Sequence, residues 1–321
     1  MPRYDSNRLL VAKLETTAGT DAAPAAATDC VLFVGDVQAT TLDPQYAQRN
    51  VAYPFFGGSQ DLLAASSAKI SFSVEFCFSG VAGTAPPWAP LLQACAFGLS
   101  SMLTPTRVEF WPVSQFLKTI TLDFYDDGVK SKMVGAMGSV KLVINHKETP
   151  KLQFEFVGAR VPDVAVANPT AALGSWKPPL PVAKANVTDI TLGCNYAAGV
   201  LSGGVAYGSL ALEIDLGNAL KFFTTNSSER AEITGRDGKC NYELEMTAAN
   251  EVAETVAMSA NTLTTLGFTL GSAAGNKALI YLPCVHRRSI KKSNRDGIRT
   301  LAFEASLPPK SGNDDVAIIL L

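Results

Sequence analysis

The stretch Lys69-Ile-Ser-Phe-Ser-Val-Glu75 alternates apolar and polar side chains with a period of two. Ile70, Phe72 and Val74 would point to one side of an extended chain and the residues between them to the other, which is the pattern of a half-buried strand. A second stretch, Lys239-Cys-Asn-Tyr-Glu-Leu-Glu245, has the same alternation and the same terminal charges. We therefore predict a strand at each of these positions.

Period-two alternation dominates the rest of the chain as well. Turn dipeptides of the Asp-Gly type separate the alternating segments, as hairpin connections require. Together these features predict a mainly β protein built as an antiparallel β-sandwich or barrel. The further segments with this pattern are 120–124, 140–144, 152–156, 210–216 and 301–305.

Two segments predict helices. Pro87–Phe97 places Trp88 and Leu91 at helical spacing, and a proline is tolerated in the first turn of a helix. Asn250–Thr262 begins with a residue that can cap a helix, and its two valines at 252 and 256 share one face. Each predicted helix follows one of the two opening strands.

The order of these features is the same in the two halves of the chain. Each half runs strand, helix, strand and turn, and then closes with the pattern Leu-x-Phe-Glu. This order predicts an internal duplication, although any two small β-domains could share it. The equivalent residues would be Lys69 with Lys239, Glu75 with Glu245, Phe154 with Phe303, and Glu155 with Glu304.

The duplication predicts two tandem β-domains, each with a flanking helix. Five prolines between residues 161 and 181 mark a semi-rigid linker between them. The predicted organisation is an N-terminal arm (1–29), a first domain (30–160), a linker (161–186), a second domain (187–306) and a C-terminal arm (307–321).

The composition indicates a protein that assembles with others. Only 17% of the 321 residues are charged and 47% are hydrophobic, whereas globular chains average about 25% charged residues. Such a chain is expected to hide part of its surface in an oligomer. Its 27 basic and 29 acidic residues give a net charge of −2, which disfavours tight, non-specific binding to DNA.

The sequence contains no constellation that points to catalysis. It has no G-x-S-x-G, H-E-x-x-H or phosphate-loop motif, and its six cysteines form no C-x-x-C pair. We expect a non-enzyme with no cofactor and no metal, and reduced cysteines that act as small core residues. No apolar run approaches membrane-spanning length, so we expect no membrane insertion.

Two segments are candidate contact surfaces. A basic run includes Arg287, Arg288, Lys291 and Lys292, and these cations would repel one another without acidic partners. We predict that they face acidic groups of an adjacent subunit; a solvated hairpin is the alternative.

The second candidate surface is the long segment 43–67, which joins two strands. It contains the aromatic cluster Tyr53, Phe55 and Phe56. Loops of this length are usually functional or ordered by a partner, and exposed aromatic residues suit a protein interface. We predict contact with another subunit; folding back onto its own core is the alternative.

Several segments resemble one known family. The strongest is Gly80-Val-Ala-Gly-Thr-Ala-Pro-Pro-Trp-Ala-Pro-Leu-Leu-Gln-Ala-Cys95, and Leu14–Ala22, Phe154–Gly158, Lys177–Val182 and Arg295–Gly297 continue it in order. Together they resemble the major tail tube proteins of long-tailed, non-contractile (siphovirus-type) bacteriophages. The resemblance covers most of the chain.

The resemblance implies a structural role. Such proteins have a β-sandwich with a flanking helix, and strands of neighbouring subunits close a ring around a lumen. Rings stack on a tape-measure protein into a tube in the virion tail, between tail terminator and tip proteins, and duplex DNA passes through transiently without specific binding. Assembly would take place in the host bacterial cytoplasm.

The resemblance and the duplication together imply a ring of three chains. Family members with one tube domain form hexameric rings, so a chain with two domains would fill two positions and give a trimer with pseudo-sixfold symmetry. Two other classes stay open at this point: a soluble β-sandwich binding or adhesin module, and the tube of a contractile injection machine.

Overall fold

The structure is a computed structural model that describes residues 3, 4 and 6–321. Residues 1, 2 and 5, which belong to the predicted N-terminal arm, lie outside the described residues. Within the described part, 54% of residues are in strands and 5% are helical, in antiparallel sheets with two helices. The prediction of a mainly β, antiparallel architecture is confirmed.

The first half, residues 8–165, forms one antiparallel arrangement in the order β3-β4-β9-β8-β7-β1. At its centre Phe72 lies opposite Phe154, with ring centroids 5.8 Å apart. Its elements are β1 Arg8–Leu14, β2 Cys30–Val31, β3 Phe33–Ala47, β4 Leu62–Glu75, α1 Ala89–Gln93, β5 Phe97–Leu103, β6 Thr106–Pro112, β7 Ile120–Asp126, β8 Val129–Asn145 and β9 Lys151–Ala165.

The second half, residues 190–320, has the same strand order, β14-β17-β20-β19-β18-β10. Here Tyr242 lies opposite Phe303, with ring centroids 4.8 Å apart. Its elements are β10 Ile190–Leu192, β11 Asn195–Ala197, β12 Val200–Ser202, β13 Val205–Tyr207, β14 Ser209–Asp215, β15 Asn218–Thr224, β16 Glu229–Arg236, β17 Lys239–Glu245, α2 Ala248–Ser259, β18 Thr264–Leu270, β19 Ala278–Arg295, β20 Ile298–Ser306 and β21 Ala317–Leu320.

The register of the central strand pair is also the same in the two halves. Phe154 of β9 lies opposite Phe72 of β4, and Phe303 of β20 lies opposite Tyr242 of β17. The other residue pairs predicted to be equivalent also occupy matching positions in the two registers. These pairs are Lys69 and Lys239, Glu75 and Glu245, and Glu155 and Glu304.

The two halves are joined edge to edge by β8 and β14. Leu142 lies opposite Ile214 and Lys141 opposite Asp215 in an antiparallel ladder. The result is a continuous sheet of eight strands, β3-β4-β9-β8-β14-β17-β20-β19. One face of this sheet carries buried side chains such as Phe72 and contributes to the main hydrophobic core.

Helix α1 is buried and contributes Leu91 and Leu92 to the main hydrophobic core. It is shorter than predicted because the backbone turns to φ +63° at Ala96. The side chain of Trp88, just before the helix, is fully buried, and its indole N–H donates to the Cys77 carbonyl at 2.9 Å. The indole also makes tilted ring contacts with Phe76 and Phe110, at centroid distances of 5.1 and 5.5 Å, which fix this segment against the core.

Helix α2 lies on the surface. Thr247, not Asn250, caps it: the Thr247 hydroxyl accepts the backbone N–H of Asn250 at 3.3 Å. No residue of α2 is buried, and Val252 and Val256 are both 63% exposed. The shared apolar face of α2 therefore points to solvent in the single chain.

The segments predicted as arms and linker include ordered elements. Strand β1 lies in the predicted N-terminal arm, and β21 lies in the predicted C-terminal arm, where it pairs with both β6 and β19. Strand β9 continues to Ala165, and the Trp176 indole of the linker donates to the Cys30 carbonyl at 2.9 Å. All six cysteines are buried and unpaired, in keeping with their predicted role as core residues.

A buried polar cluster ties β6 to the second half. The Glu109 carboxylate accepts hydrogen bonds from Tyr196 Oη at 2.6 Å and Trp111 Nε1 at 2.8 Å, and it pairs with Arg107 Nε at 2.5 Å. Burial raises the pKa of Glu109, but these bonds outweigh burial and hold the pKa below its ordinary value.

The lowered pKa of Glu109 predicts a pH-dependent contribution to stability. A depressed folded-state pKa stabilises the fold above the unfolded-state pKa, and this stabilisation disappears as the pH falls through the folded-state pKa. The free-energy cost of Glu109→Gln should therefore shrink between pH 6 and pH 3 in urea titrations. The exposed Glu229→Gln is the matched control and should change stability by less than about 0.5 kcal/mol. A cost of Glu109→Gln that stays constant with pH would contradict the assignment.

Candidate subunit interface

The basic run lies on the second part of β19, where its charges meet acids of the same chain. The Arg287 side chain is only 3% exposed and forms an ion pair with Glu254 of α2. Its Nη2 also donates to the Thr262 carbonyl at 3.2 Å. Arg287 thus holds α2 against β19, because removing Glu254 would leave the buried Arg287 guanidinium without a counter-charge.

The other cations of the run have partners as well. Lys292 pairs with Glu251 of α2 at 2.7 Å, Lys291 pairs with Glu304 of β20, and Arg288 Nε donates to Ser306 Oγ at 3.1 Å. The repulsion within the run is therefore relieved inside the chain. A further contact of these side chains with a neighbouring subunit stays a prediction.

Sequence reasoning missed the partners of this run. From the sequence alone, the two α2 carboxylates are only favourable charges near a helix N-terminus. Glu251 and Glu254 are three residues apart, so they lie on one face of the helix. That spacing is a signal, but the strand facing it becomes known only when α2 is packed on β19.

The aromatic segment is the tip of a projecting β3–β4 hairpin, which we call the β3–β4 arm (residues 41–66). Phe55 is 68% exposed and Phe56 fully exposed, while Tyr53 stacks on Phe55 with ring centroids 5.2 Å apart. The tip does not fold back onto the core. Large apolar side chains exposed elsewhere on the arm are Leu42, Tyr46, Val51, Leu62 and Leu63.

The hairpin at the equivalent position of the second half behaves differently. Strands β15 and β16 connect β14 to β17, just as the β3–β4 arm connects the paired parts of β3 and β4 in the first half. Unlike the arm, β15 and β16 pack against β8 and β9. Asn218 Nδ2 donates to the carbonyls of Cys95 at 2.9 Å and Gly138 at 3.0 Å, and Ala231 is buried. One hairpin thus covers the neighbouring half, while the tip of the other is exposed among the described residues.

The eight-stranded sheet ends in two open edges. Among the described residues, β3 pairs only with β4, and β19 beyond Val285 pairs only with β20. Gln38, Ala39 and Thr40 are exposed on the first edge, and Lys291 and Lys292 on the second. Unpaired backbone groups on such edges are templates for pairing with another chain.

The second face of the sheet is polar and carries charges of both signs. Lys141 pairs with Glu213 across the junction at 2.9 Å, and Arg295 pairs with Glu243 at 3.0 Å. Within the described part of the chain, no group of three or more His, Cys, Asp or Glu residues could hold a metal ion. Charges of both signs thus lie on this face, and some of them form ion pairs.

Comparison with known families bears on this arrangement. The model of the phage tail tube protein family matches residues 5–318, nearly the whole chain. The chain belongs to the phage tail tube protein family. No curated protein matches the sequence.

Membership of this family confirms the coarser part of the resemblance. A tail tube protein is a structural component of the virion tail. In the part of the chain that the structure describes, neither helix has the length and apolar character needed to cross a membrane.

The buried ion pair yields a stability prediction. Arg287→Ala should destabilise the chain by about 3–5 kcal/mol, because it leaves the largely shielded Glu254 carboxylate without a counter-charge. Lys291→Ala is the matched control on the same strand: it breaks an exposed pair and should cost less than about 1 kcal/mol. Urea unfolding followed by tryptophan fluorescence measures both. Equal costs for the two variants would contradict the structural role of Arg287.

Proposed function

We propose that this protein assembles into stacked rings that form the tail tube of a long-tailed, non-contractile phage, through which DNA enters the host. The observation that carries the proposal is the eight-stranded sheet, which has an open edge at each end and a polar second face. Family membership supports the same role. Joining such sheets around a ring would satisfy both edges and enclose a lumen.

The polar face of the sheet suits a lumen wall. Lys141 with Glu213 and Arg295 with Glu243 neutralise one another locally. A surface on which charges of both signs are mixed gives DNA phosphates no concentrated basic patch to bind. DNA would therefore pass through the tube transiently and without specific contacts.

Each chain would fill two positions in the ring. The repeated strand order and the matching registers at Phe154 and Phe303 support two tube domains, 30–160 and 187–306, connected by the linker 161–186. Closing a six-position ring then takes three chains and gives a trimer with pseudo-sixfold symmetry.

The remaining partners follow from the tube itself. A tape-measure protein would occupy the lumen during assembly, and tail terminator and tip proteins would close the two ends of the stack. Assembly would take place in the host bacterial cytoplasm, before the tail joins the virion.

The β3–β4 arm would contact another subunit. Its exposed apolar side chains, including Tyr53, Phe55 and Phe56, form a surface that monomeric proteins seldom leave open. The packing of the equivalent β15–β16 hairpin across the neighbouring half supports this role. Arg288, Lys291 and Lys292 keep exposed surface on β19 and are the members of the basic run that are accessible for such a contact.

Negative-stain microscopy of the purified protein tests the assembly. Wild type should form rings or tubes. Phe55→Ser with Phe56→Ser should remain folded, since both side chains are already exposed, but should no longer form tubes because the apolar contact is lost.

A matched control is Phe116→Ser, which removes another exposed aromatic side chain (94% exposed) far from the arm in sequence. It should assemble like wild type. Normal tubes from the double variant would refute the role of the arm, and a wild-type protein that stays monomeric would refute the tube.

A further inference from the structure

The junction between β8 and β14 provides a template for a second junction that the single chain leaves unmade. In the repeated strand order, β14 occupies the position of β3, and β8 occupies the position of β19. The chain therefore joins one β19-type edge to one β3-type edge internally. The two edges left open, β3 and the end of β19, are the same complementary pair.

The registers within each half identify the equivalent residues on the open edges. Glu213 lies opposite Asn241, and Gln38 lies opposite the equivalent Ser71, so Glu213 corresponds to Gln38. By the same step, Ile214 corresponds to Ala39 and Asp215 to Thr40.

The other edge is mapped in the same way. Lys141 lies opposite Gln153, and Lys291 lies opposite the equivalent Ala302, so Lys141 corresponds to Lys291. The same comparison of the residues that lie opposite on β9 and β20 shows that Leu142 corresponds to Lys292 and Val143 to Ser293.

We propose that β19 of one chain pairs antiparallel with β3 of a second copy in the register of the internal junction: Ser293 opposite Gln38, Lys292 opposite Ala39, and Lys291 opposite Thr40. This rests on the proposed function and specifies its ring contact. In the internal junction the corresponding pairs are Val143 with Glu213, Leu142 with Ile214, and Lys141 with Asp215.

The two open edges have the properties that pairing with a second copy requires. Gln38, Ala39, Thr40, Lys291 and Lys292 are exposed, so the ladder positions are open. A chain has one edge of each kind at opposite ends of its sheet, which makes the contact head-to-tail. The proposed register keeps the apolar faces of the two sheets on the same side. A slip by one residue would place these faces on opposite sides.

Disulfide cross-linking tests the register. Directly opposed residues of antiparallel strands have Cα atoms about 4.5–5.5 Å apart, which is within the range that a disulfide can bridge. The variant Gln38→Cys with Ser293→Cys should give covalent multimers on a non-reducing gel after mild oxidation of assembled protein. Mixing the two single variants should give linked dimers only. The native cysteines are all buried, so they should contribute little background.

Two matched variants serve as controls. Gln38→Cys with Lys292→Cys, one residue out of register, puts the thiols on opposite faces and should stay unlinked. Val143→Cys with Glu213→Cys, across the internal junction, should form a disulfide within one chain and leave the monomer mass unchanged.

The outcomes separate this register from the proposed function. Assembled tubes with no link between positions 38 and 293, or with preferential linking of positions 38 and 292, would overturn the register while leaving the tube intact. Protein that forms neither rings nor cross-links would overturn both.

Discussion

The pairing of β8 with β14 is the contact on which the architecture depends. Edge strands carry unpaired N–H and C=O groups that tend to recruit further strands. By joining these two strands, the chain converts two sheets into one and satisfies one pair of edges. The cost is that the extended sheet still has two ends. In the proposed ring, these two edges would pair with other copies.

Several charges of the molecule are neutralised within the chain, so the proposed assembly would not depend on a strong net charge. Arg287 and Lys292 are matched by two carboxylates of α2, and Lys141 is matched by Glu213 at the internal junction. The low charged fraction and the net charge of −2 therefore coexist with a strongly basic strand. In the proposed ring, backbone pairing and apolar contact would be the main attractive interactions between copies.

The strands were predictable because period-two alternation reports directly on a sheet with one buried face. The stretches around Phe72 and Tyr242 both lie in strands at the centre of their sheets. The Asp-Gly turn after β19 was predictable as well, since Asp296 and Gly297 both adopt positive φ.

Other features depend on tertiary packing and were beyond the sequence pattern. Strand β21 lies between β6 and β19, which are far apart in the chain. The two valines of α2 form an apolar face that the single chain leaves exposed. For the candidate interface, the exposed aromatic tip could be predicted from loop length and composition. The carboxylates that neutralise Arg287 and Lys292 could not, because their identity depends on how α2 packs on β19.

The measurement that tests the central claim most directly is the mass of a single ring. Native mass spectrometry of rings released from tubes should give three copies of the 33.9 kDa chain, because each chain contributes two positions to a six-position ring. Rings of six chains would contradict the account, since the internal β8–β14 junction would then not be equivalent to a contact between adjacent positions of the ring.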